Sequence, residues 1–475
     1  ALFDQAKGKG LKGDAFDKLD GRLNGIEKPT NKVLTAQEPS KEQVQPLIDL
    51  YTQGKYQEAT TQASQLLVQF PSSINLYNII GAVNQEQGKL EEAIQAYKKA
   101  LSINPNYADA YNNMGTALKE QGKLEEAIQA YKKTLLLKPE YPNAYNNIGN
   151  AFQAQGKLQD AIEAYNKALS LKPNHVETLK NLGNAFQVQS RLDDAIEAYR
   201  SAIKLNPNYV DAYNDLGIVL KEQGKLHEAI EAYRIALSIK PDFAEAHNNI
   251  GVALKDGGKL GEAISSYKKA LSLKPNYATA YNNIGNALQA QDKLDMALDA
   301  FHEAIALKPD YAEAYNNLGS VLKNMGKSEE AIDAHCKAIS IMSDFAEAHQ
   351  NLSYLQLNLG SLEDGLEEYE WRWKTQSGLS EKRQFLTPVW DRTKKLKDKK
   401  ILLWCEQGVG DTVNWSARIP FISSQAKKCI LECQEKLVPL LARSFPDVEV
   451  RPVNRKADME NNDFDFHMPL GSIFK

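Results

Sequence analysis

Residues 111–139 read YNNMGTALKEQGKLEEAIQAYKKTLLLKP, and near-copies of this stretch recur along the chain at a fixed interval. Glycine marks the beat: Gly81, Gly115, Gly149, Gly183, Gly217, Gly251, Gly285 and Gly319 stand 34 residues apart. A proline follows each of the first seven by 24 residues, from Pro105 and Pro139 through Pro173, Pro207, Pro241 and Pro275 to Pro309. Within a copy, apolar residues at i, i+3, i+4 and i+7 draw one buried stripe on each of two helices. The small marker glycine and the alanines Ala127, Ala161 and Ala195 predict close helix contact, with Tyr131, Tyr165 and Tyr199 filling the adjoining space. Gly-Lys-Leu at 88–90, 122–124, 156–158, 224–226 and 258–260 predicts a turn whose glycine takes positive φ. The Asn-Pro or Lys-Pro at the end of a copy predicts the stop of its second helix. One such hairpin cannot bury its apolar face alone, so the copies must stack.

A helix–turn–helix period of 34 with these markers resembles the tetratricopeptide repeat. Ten units are expected over residues 40–379, behind a leader at 1–39 that is rich in Gly and charge and in which one short helix is expected at Asp14 to Leu23. The first unit is degenerate, with Leu47 in the marker's place, as a terminal repeat should be. The last is worn: Ser343 replaces the proline before it, Ser353 the marker glycine and Gly365 a second-helix alanine. The resemblance implies a right-handed α-solenoid whose first helices line a long concave groove.

Two residues before each marker from Gly115 onward stand Asn113, Asn147, Asn181, Asp215, Asn249, Asn283 and Asn317, continuing in phase to Asn351. Four residues after it stand Gln85, Lys119, Gln153, Gln187, Lys221, Lys255, Gln289 and Lys323. A file of carboxamides matches the alternating N–H and C=O of an extended peptide, and the lysines favour acidic side chains or a carboxylate. The pattern resembles the asparagine ladder of O-GlcNAc transferase, which implies binding of an extended polypeptide or partner protein along the groove. The alternative is structural: an asparagine at this position can hydrogen-bond the inter-repeat backbone.

Past Tyr369 the phase breaks. Trp371, Trp373 and Trp390 read as a hydrophobic lid between the last repeat and the C-terminal domain, and 380–400 as a solvated, lysine-rich linker. From Ile401 the pattern becomes strand and helix in alternation: strands at 401–405, 429–433, 448–453 and 464–470, helices from Thr412 to about Ala426 and over 434–445. That order predicts a parallel sheet with right-handed crossovers. The first strand runs into Gly408-Val409-Gly410-Asp411, the kind of turn where such sheets take ligands. A dinucleotide site fits Gly408, Gly410 and Glu432, but Val413 occupies the third glycine's place.

GVGDTVNWSARIP at 408–420, with WRW, PVWD and the strands after them, also resembles the opening of heptosyltransferase-like GT-B glycosyltransferases. That resemblance covers 369–475 and implies a Rossmann-like domain of which 401–475 is the incomplete first half. It assigns Asp411 as general base on the acceptor hydroxyl, Gly408 and Gly410 to substrate binding, and a nucleotide sugar as donor substrate. The alternative is that Asp411 caps the following helix. With no second half and no initiating Met, the sequence reads as a fragment that does not turn over by itself.

The expected function is therefore a repeat superhelix that delivers a bound polypeptide to a C-terminal glycosyltransferase-like domain; a non-catalytic interaction scaffold is the alternative. Net charge is −4, so nothing in the overall balance points to nucleic acid or a membrane surface. Four scattered cysteines argue for reduced thiols and, with no apolar run of the ~18 residues a bilayer crossing needs, for a cytoplasmic protein. Seven scattered histidines show no metal-binding spacing, and no cofactor is expected.

Overall fold

The computed structural model describes residues 38–406, 408–455 and 463–473; the helix expected at Asp14 to Leu23 lies outside them. The chain is mainly helical and divides into two compact units, 1–253 and 254–475. The first holds helix pairs Lys41–Thr52 with Tyr56–Gln69, Ile74–Glu86 with Leu90–Ile103, Ala108–Glu120 with Leu124–Leu137, Pro142–Ala154 with Leu158–Leu171, Val176–Val188 with Leu192–Leu205, and Val210–Glu222 with Leu226–Ile239. Helix Ala244–Asp256 spans the division and Leu260–Leu273 follows it. In the second unit come Ala278–Gln289 with Leu294–Leu307, Ala312–Asn324 with Ser328–Ile341, and Ala346–Asn358 with Leu362–Tyr369. Among the described residues no helix is long and apolar enough to cross a membrane.

The marker glycine is required by contact. A Cβ on Gly149 would lie 2.4 Å from the Tyr165 ring, and one on Gly115 2.6 Å from the Tyr131 ring. Those rings are fully buried, so each repeat turns on one slot in which glycine faces an aromatic 16 residues later. Phe301 fills the slot opposite Gly285, and His335 the one opposite Gly319. The first repeat inverts the volumes: Leu47 takes the glycine's position and Ala63 the aromatic's, both fully buried in one cluster. In the last repeat the Ser353 hydroxyl donates to the Gly365 carbonyl at 2.8 Å, and Leu357 crowds the space a Cβ on Gly365 would need. The hairpin turns do place Gly88, Gly122, Gly156, Gly224 and Gly258 at φ from +72° to +78°. Ser190 and Asp292 hold the same left-handed conformation without glycine.

Beyond Tyr369 the chain forms a 3-10 helix, Glu370–Lys374, a short helix, Gln376–Glu381, and then four strands. β1 (Lys400–Trp404), β2 (Lys428–Cys433), β3 (Glu449–Pro452) and β4 (Phe466–Pro469) form an all-parallel sheet in the order β3-β2-β1-β4. Ile401 pairs with Cys429 and Phe466, and Leu403 with Leu431 and Met468. Residues 401–404 of β1 and 429–431 of β2 are apolar and buried because both faces are covered there, whereas β3, at the sheet edge, carries Glu449 and Arg451. Ile401, Leu403, Cys429 and Leu431 pack with Trp390 on one face, and Leu402, Trp404 and Ile430 pack with Trp373 and Phe385 on the other.

The crossovers depart from expectation. The single helix expected from Thr412 to about Ala426 is three pieces, Val409–Trp415, a 3-10 turn at Ser416–Arg418 and Ile419–Ser423, because Pro420 has no N–H to carry the first helix onward. The one expected at 434–445 starts as 3-10 at Glu435–Leu437 and becomes α only at Val438–Ser444, with Pro439 in its first turn. The three tryptophans divide their work: Trp371 stacks on His349 of the last repeat (3.8 Å), Trp373 packs on Trp404 (5.6 Å), and Trp390 enters the sheet core.

Candidate functional site

On the first helices the carboxamides connect successive repeats. Asn113 Nδ2 donates to Asn78 Oδ1 (3.0 Å), Asn147 to Asn112 (3.1 Å), Asn181 to Asn146 (3.1 Å) and Asn249 to Asn214 (2.9 Å). In the second unit Asn317 donates to Asn282 and Asn351 to Asn316, each at 3.0 Å. Asn283 occupies the equivalent, half-buried position on Ala278–Gln289. The partner of a structural asparagine was expected to be inter-repeat backbone; it is a side chain, the asparagine three before the previous marker glycine. At one rung the chemistry changes but the link does not: Lys180 and Asp215 form an ion pair at 3.5 Å. Burial raises the Asp215 carboxyl above the usual range, against the pull of Lys180.

The second row is partly tied as well. Gln85 Nε2 donates to Glu120 Oε1 (2.8 Å) and Gln187 Nε2 to Glu222 Oε1 (2.9 Å), again one repeat on. Gln289 is half-buried, as are Lys119, Lys221 and Lys255, and Lys323 is exposed. Three of the lysines are followed directly by an acid, Glu120, Glu222 and Asp256, and Lys255 lies 3.7 Å from Asp256. The positive character expected of this row is thereby locally offset.

In the second unit the glycine turn leads from β1 into helix Val409–Trp415. Gly408 is its N-cap, at φ −63° and ψ 178°, and a Cβ there would meet only Asp411 Oδ2, at 3.7 Å. Neither strain nor crowding demands glycine at 408. Gly410 lies in the first turn of the helix, as does Asp411, which is half-buried. The N-cap, Gly408, has no side chain with which to cap the helix, and Asp411 is the acid of its first turn.

A cavity of about 250 Å³ opens at the carboxyl ends of β1, β2 and β3, where Cys405 and Glu406, Gln434 and Glu435, and Pro452 and Val453 leave the strands; Arg383, Glu381 and Arg455 also line it. One lining residue, Glu406, and its buried partner Arg372 escaped the sequence reading. Burial pushes the Glu406 carboxyl up to about 7, against the pull of Arg372. Arg372 itself is buried, its guanidinium 4.1 Å from the Tyr369 ring centroid and 4.5 Å from that of Trp373. It donates to Glu406 Oε1 and to Ser472 Oγ (2.9 Å each), and to Glu370 Oε1 (2.9 Å) and the Tyr369 carbonyl (3.0 Å). Arg372 therefore joins the end of the last repeat to the ends of β1 and β4. The available signal was a cation between two tryptophans and an acid directly after an apolar strand. On β2, Glu432 accepts from Arg451 (2.8 Å) and pairs with Arg383 (2.7 Å), so the acid that fitted a dinucleotide site is held in a buried ion network.

Residues 107–314 match the family model of the Cilia and flagella-associated protein 70 C-terminal domain, and tetratricopeptide repeat models match residues 85–122 and 300–333. None of the curated proteins matches the chain. Among solved structures, MamA is 36% identical, with 35% of this chain and 97% of that one covered at a TM-score of 0.33. YrrB, described as a TPR protein with an unusual peptide-binding site, is 25% identical, covering 42% and 99%, at 0.35. Cut9–Hcn1, an APC/C hetero-tetramer, is 20% identical, covering 66% and 64%, at 0.45. With the 34-residue beat, the helix pairs and the family-model matches together, the chain is a tetratricopeptide repeat protein.

Proposed function

We propose that the first-helix face of the repeats binds an extended polypeptide. Tetratricopeptide arrays are typical protein–protein interaction scaffolds, and the observation that carries the narrower reading is the asparagine chain. Asn147, Asn181 and Asn249 each use one N–H on the neighbouring repeat, which leaves a second N–H and the residue's own Oδ1 for a ligand. The link fixes the rotamer in advance, which lowers the entropy cost of gripping a peptide backbone. Structural and binding roles thus reinforce one another.

The Lys180–Asp215 rung supplies the experiment. Installing the same pair at two other rungs, Asn112→Lys with Asn147→Asp and Asn214→Lys with Asn249→Asp, keeps an inter-repeat link but removes the carboxamides. The expected result is a nearly unchanged melting temperature with peptide affinity reduced on the order of 100-fold, as for the loss of several hydrogen bonds of roughly 1 kcal/mol each. Unchanged affinity for extended peptides would show that the asparagines serve stability alone.

For the C-terminal sheet we propose the first half of a glycosyltransferase-like domain to which the array presents its bound chain. The order β3-β2-β1-β4 is that of the first four strands of a doubly wound nucleotide-binding sheet, and the cavity lies at the carboxyl ends of strands, where such sheets take ligands. Asp411, half-buried in the first turn after β1, is assigned as the base that takes the acceptor hydroxyl proton. On the full-length polypeptide, Asp411→Asn should lower nucleoside diphosphate release from a nucleotide-sugar panel on the order of 100-fold, with folding retained. Absence of release from the wild type would leave the sheet a silent part of a scaffold.

A further inference from the structure

In four successive repeats the hydroxyl of the slot tyrosine, Tyr97, Tyr131, Tyr165 or Tyr199, meets a side chain one or four residues after the marker glycine. In the repeat beginning at Pro142 those residues are Asn150 and Gln153. Tyr165 Oη lies 2.7 Å from Asn150 Oδ1 and 2.9 Å from Gln153 Oε1. A hydroxyl has one proton and cannot donate fully to both oxygens. Burial raises the Tyr165 pKa, so that single proton stays in place at neutral pH. One carboxamide must therefore turn its NH2 toward the hydroxyl lone pair while the other offers its oxygen, a reversal of an amide that heavy-atom positions do not distinguish. The two outward ends are then one N–H donor and one C=O acceptor, three residues apart on one helix face. That is the complement of the C=O and N–H edge of an extended peptide.

Among the described residues no other repeat offers the same set. In the next, Tyr199 Oη lies 2.6 Å from Asn184 Oδ1 but 3.4 Å from Gln187 Oε1, and Glu222 holds Gln187 by its Nε2. Asn286 and Gln289 repeat the pair of carboxamides, but their slot aromatic is Phe301, which has no hydroxyl. The Tyr131 hydroxyl meets Thr116 instead. The charges near the pair also differ. Lys119-Glu120 and Lys221-Glu222 flank a window in which the same positions read Gln153-Ala154 and Gln187-Val188. Val188, 63% exposed, takes the register position one repeat after Gln153 that Glu120 takes after Gln85 and Glu222 after Gln187. A charged side chain lying over Val188 and Ala154 would lose water without gaining a counter-ion.

We infer that Asn150 and Gln153, set in opposite orientations by the Tyr165 hydroxyl, form a backbone-reading subsite that selects an uncharged stretch of an extended polypeptide. This rests on the peptide-binding reading above and names its substrate class.

The probe is a fluorescein-labelled 12-mer of Ser, Thr, Val and Ala, compared by anisotropy with versions carrying two central Glu or two central Lys. The neutral peptide should bind about tenfold more tightly than either. Tyr165→Phe should cost it about tenfold, while Tyr199→Phe changes affinity less than twofold. Gln153→Met reports the same loss from a half-buried position should the Phe variant fold poorly. Equal binding of all three peptides, or full affinity in Tyr165→Phe or Gln153→Met, would overturn the subsite. If those results accompany loss of binding in the Lys–Asp rung variants, only the subsite falls. If none of the three peptides binds the wild type, both readings fall.

Discussion

The repeats and the C-terminal sheet are held together in opposite ways. In the repeats one contact, glycine against an aromatic 16 residues later, recurs so often that no single copy is indispensable. In the sheet region the end of the last repeat and the ends of β1 and β4 meet at one buried guanidinium, Arg372. A repeated contact spreads the consequence of a substitution over neighbouring units, whereas a single buried ion concentrates it. The difference sets the order in which substitutions should hurt.

Arg372→Met should have the largest effect. It leaves the Glu406 carboxyl buried without its cation, at a cost of about 3–5 kcal/mol. The loss should be confined: amide exchange should quicken across 401–404 and 466–469 and stay unchanged in the helices of residues 74–239. Adding Glu406→Gln replaces the buried carboxyl left without its cation and should recover part of the stability. Faster exchange throughout the repeats would mean that the two regions are not energetically separate.

The same contrast explains what could be read in advance. Periodicity exposed the helix pairs, their turns and the aromatic slots because each is written several times, and accidents cancel between copies. The first two strands were legible because a parallel strand covered on both faces shows a buried apolar run, as in ILLW at 401–404. Arg372 with Glu406, and the Lys180–Asp215 rung, were not legible: each occurs once, and its meaning depends on a partner 34 or 35 residues away. The asparagines were visible as a file, but their mutual hydrogen bonds depend on the rise from one repeat to the next, which sequence does not record. Pro420 and Pro439 were in plain view, yet the apolar periodicity around them masked the breaks they impose.

The slot itself can be tested for exchangeability. Gly115→Leu should destabilise by about 1–3 kcal/mol through overpacking, since even a Cβ there falls 2.6 Å from the Tyr131 ring. Tyr131→Ala should cost about 3–5 kcal/mol through the cavity it opens. Together they recreate the Leu47–Ala63 arrangement of the first repeat, so the double variant should be more stable than the sum of the single losses by about 0.5–3 kcal/mol. Urea denaturation of the four proteins gives that coupling. Strict additivity would mean that the inverted volumes of the first repeat reflect its terminal position and not a slot that accepts either filling.

The smallest effect should come from the slot that contains histidine. His335 is fully buried against Gly319, its Nδ1 is 3.0 Å from Asn316 Oδ1, and its Nε2 has no hydrogen-bond partner. Burial, with Lys323 adding to it, lowers its pKa to about 4 from the ordinary 6.5. The unfolded chain therefore binds the proton more readily than the folded one. Stability from the neutral ring is complete above pH 6.5 and is lost as pH falls from there toward 4, by up to roughly 1.4 kcal/mol per pH unit. Half-buried His175, also lowered to about 4 by desolvation, adds a second contribution of the same sign. His335→Tyr restores the residue used in most other repeats and should remove its own share of the drop between pH 7 and pH 5, leaving that of His175. The check is the urea midpoint of both proteins at the two pH values. An identical drop in the variant would mean that the histidine slot tolerates protonation, and that its neighbours relax around the charge as an isolated slot could not.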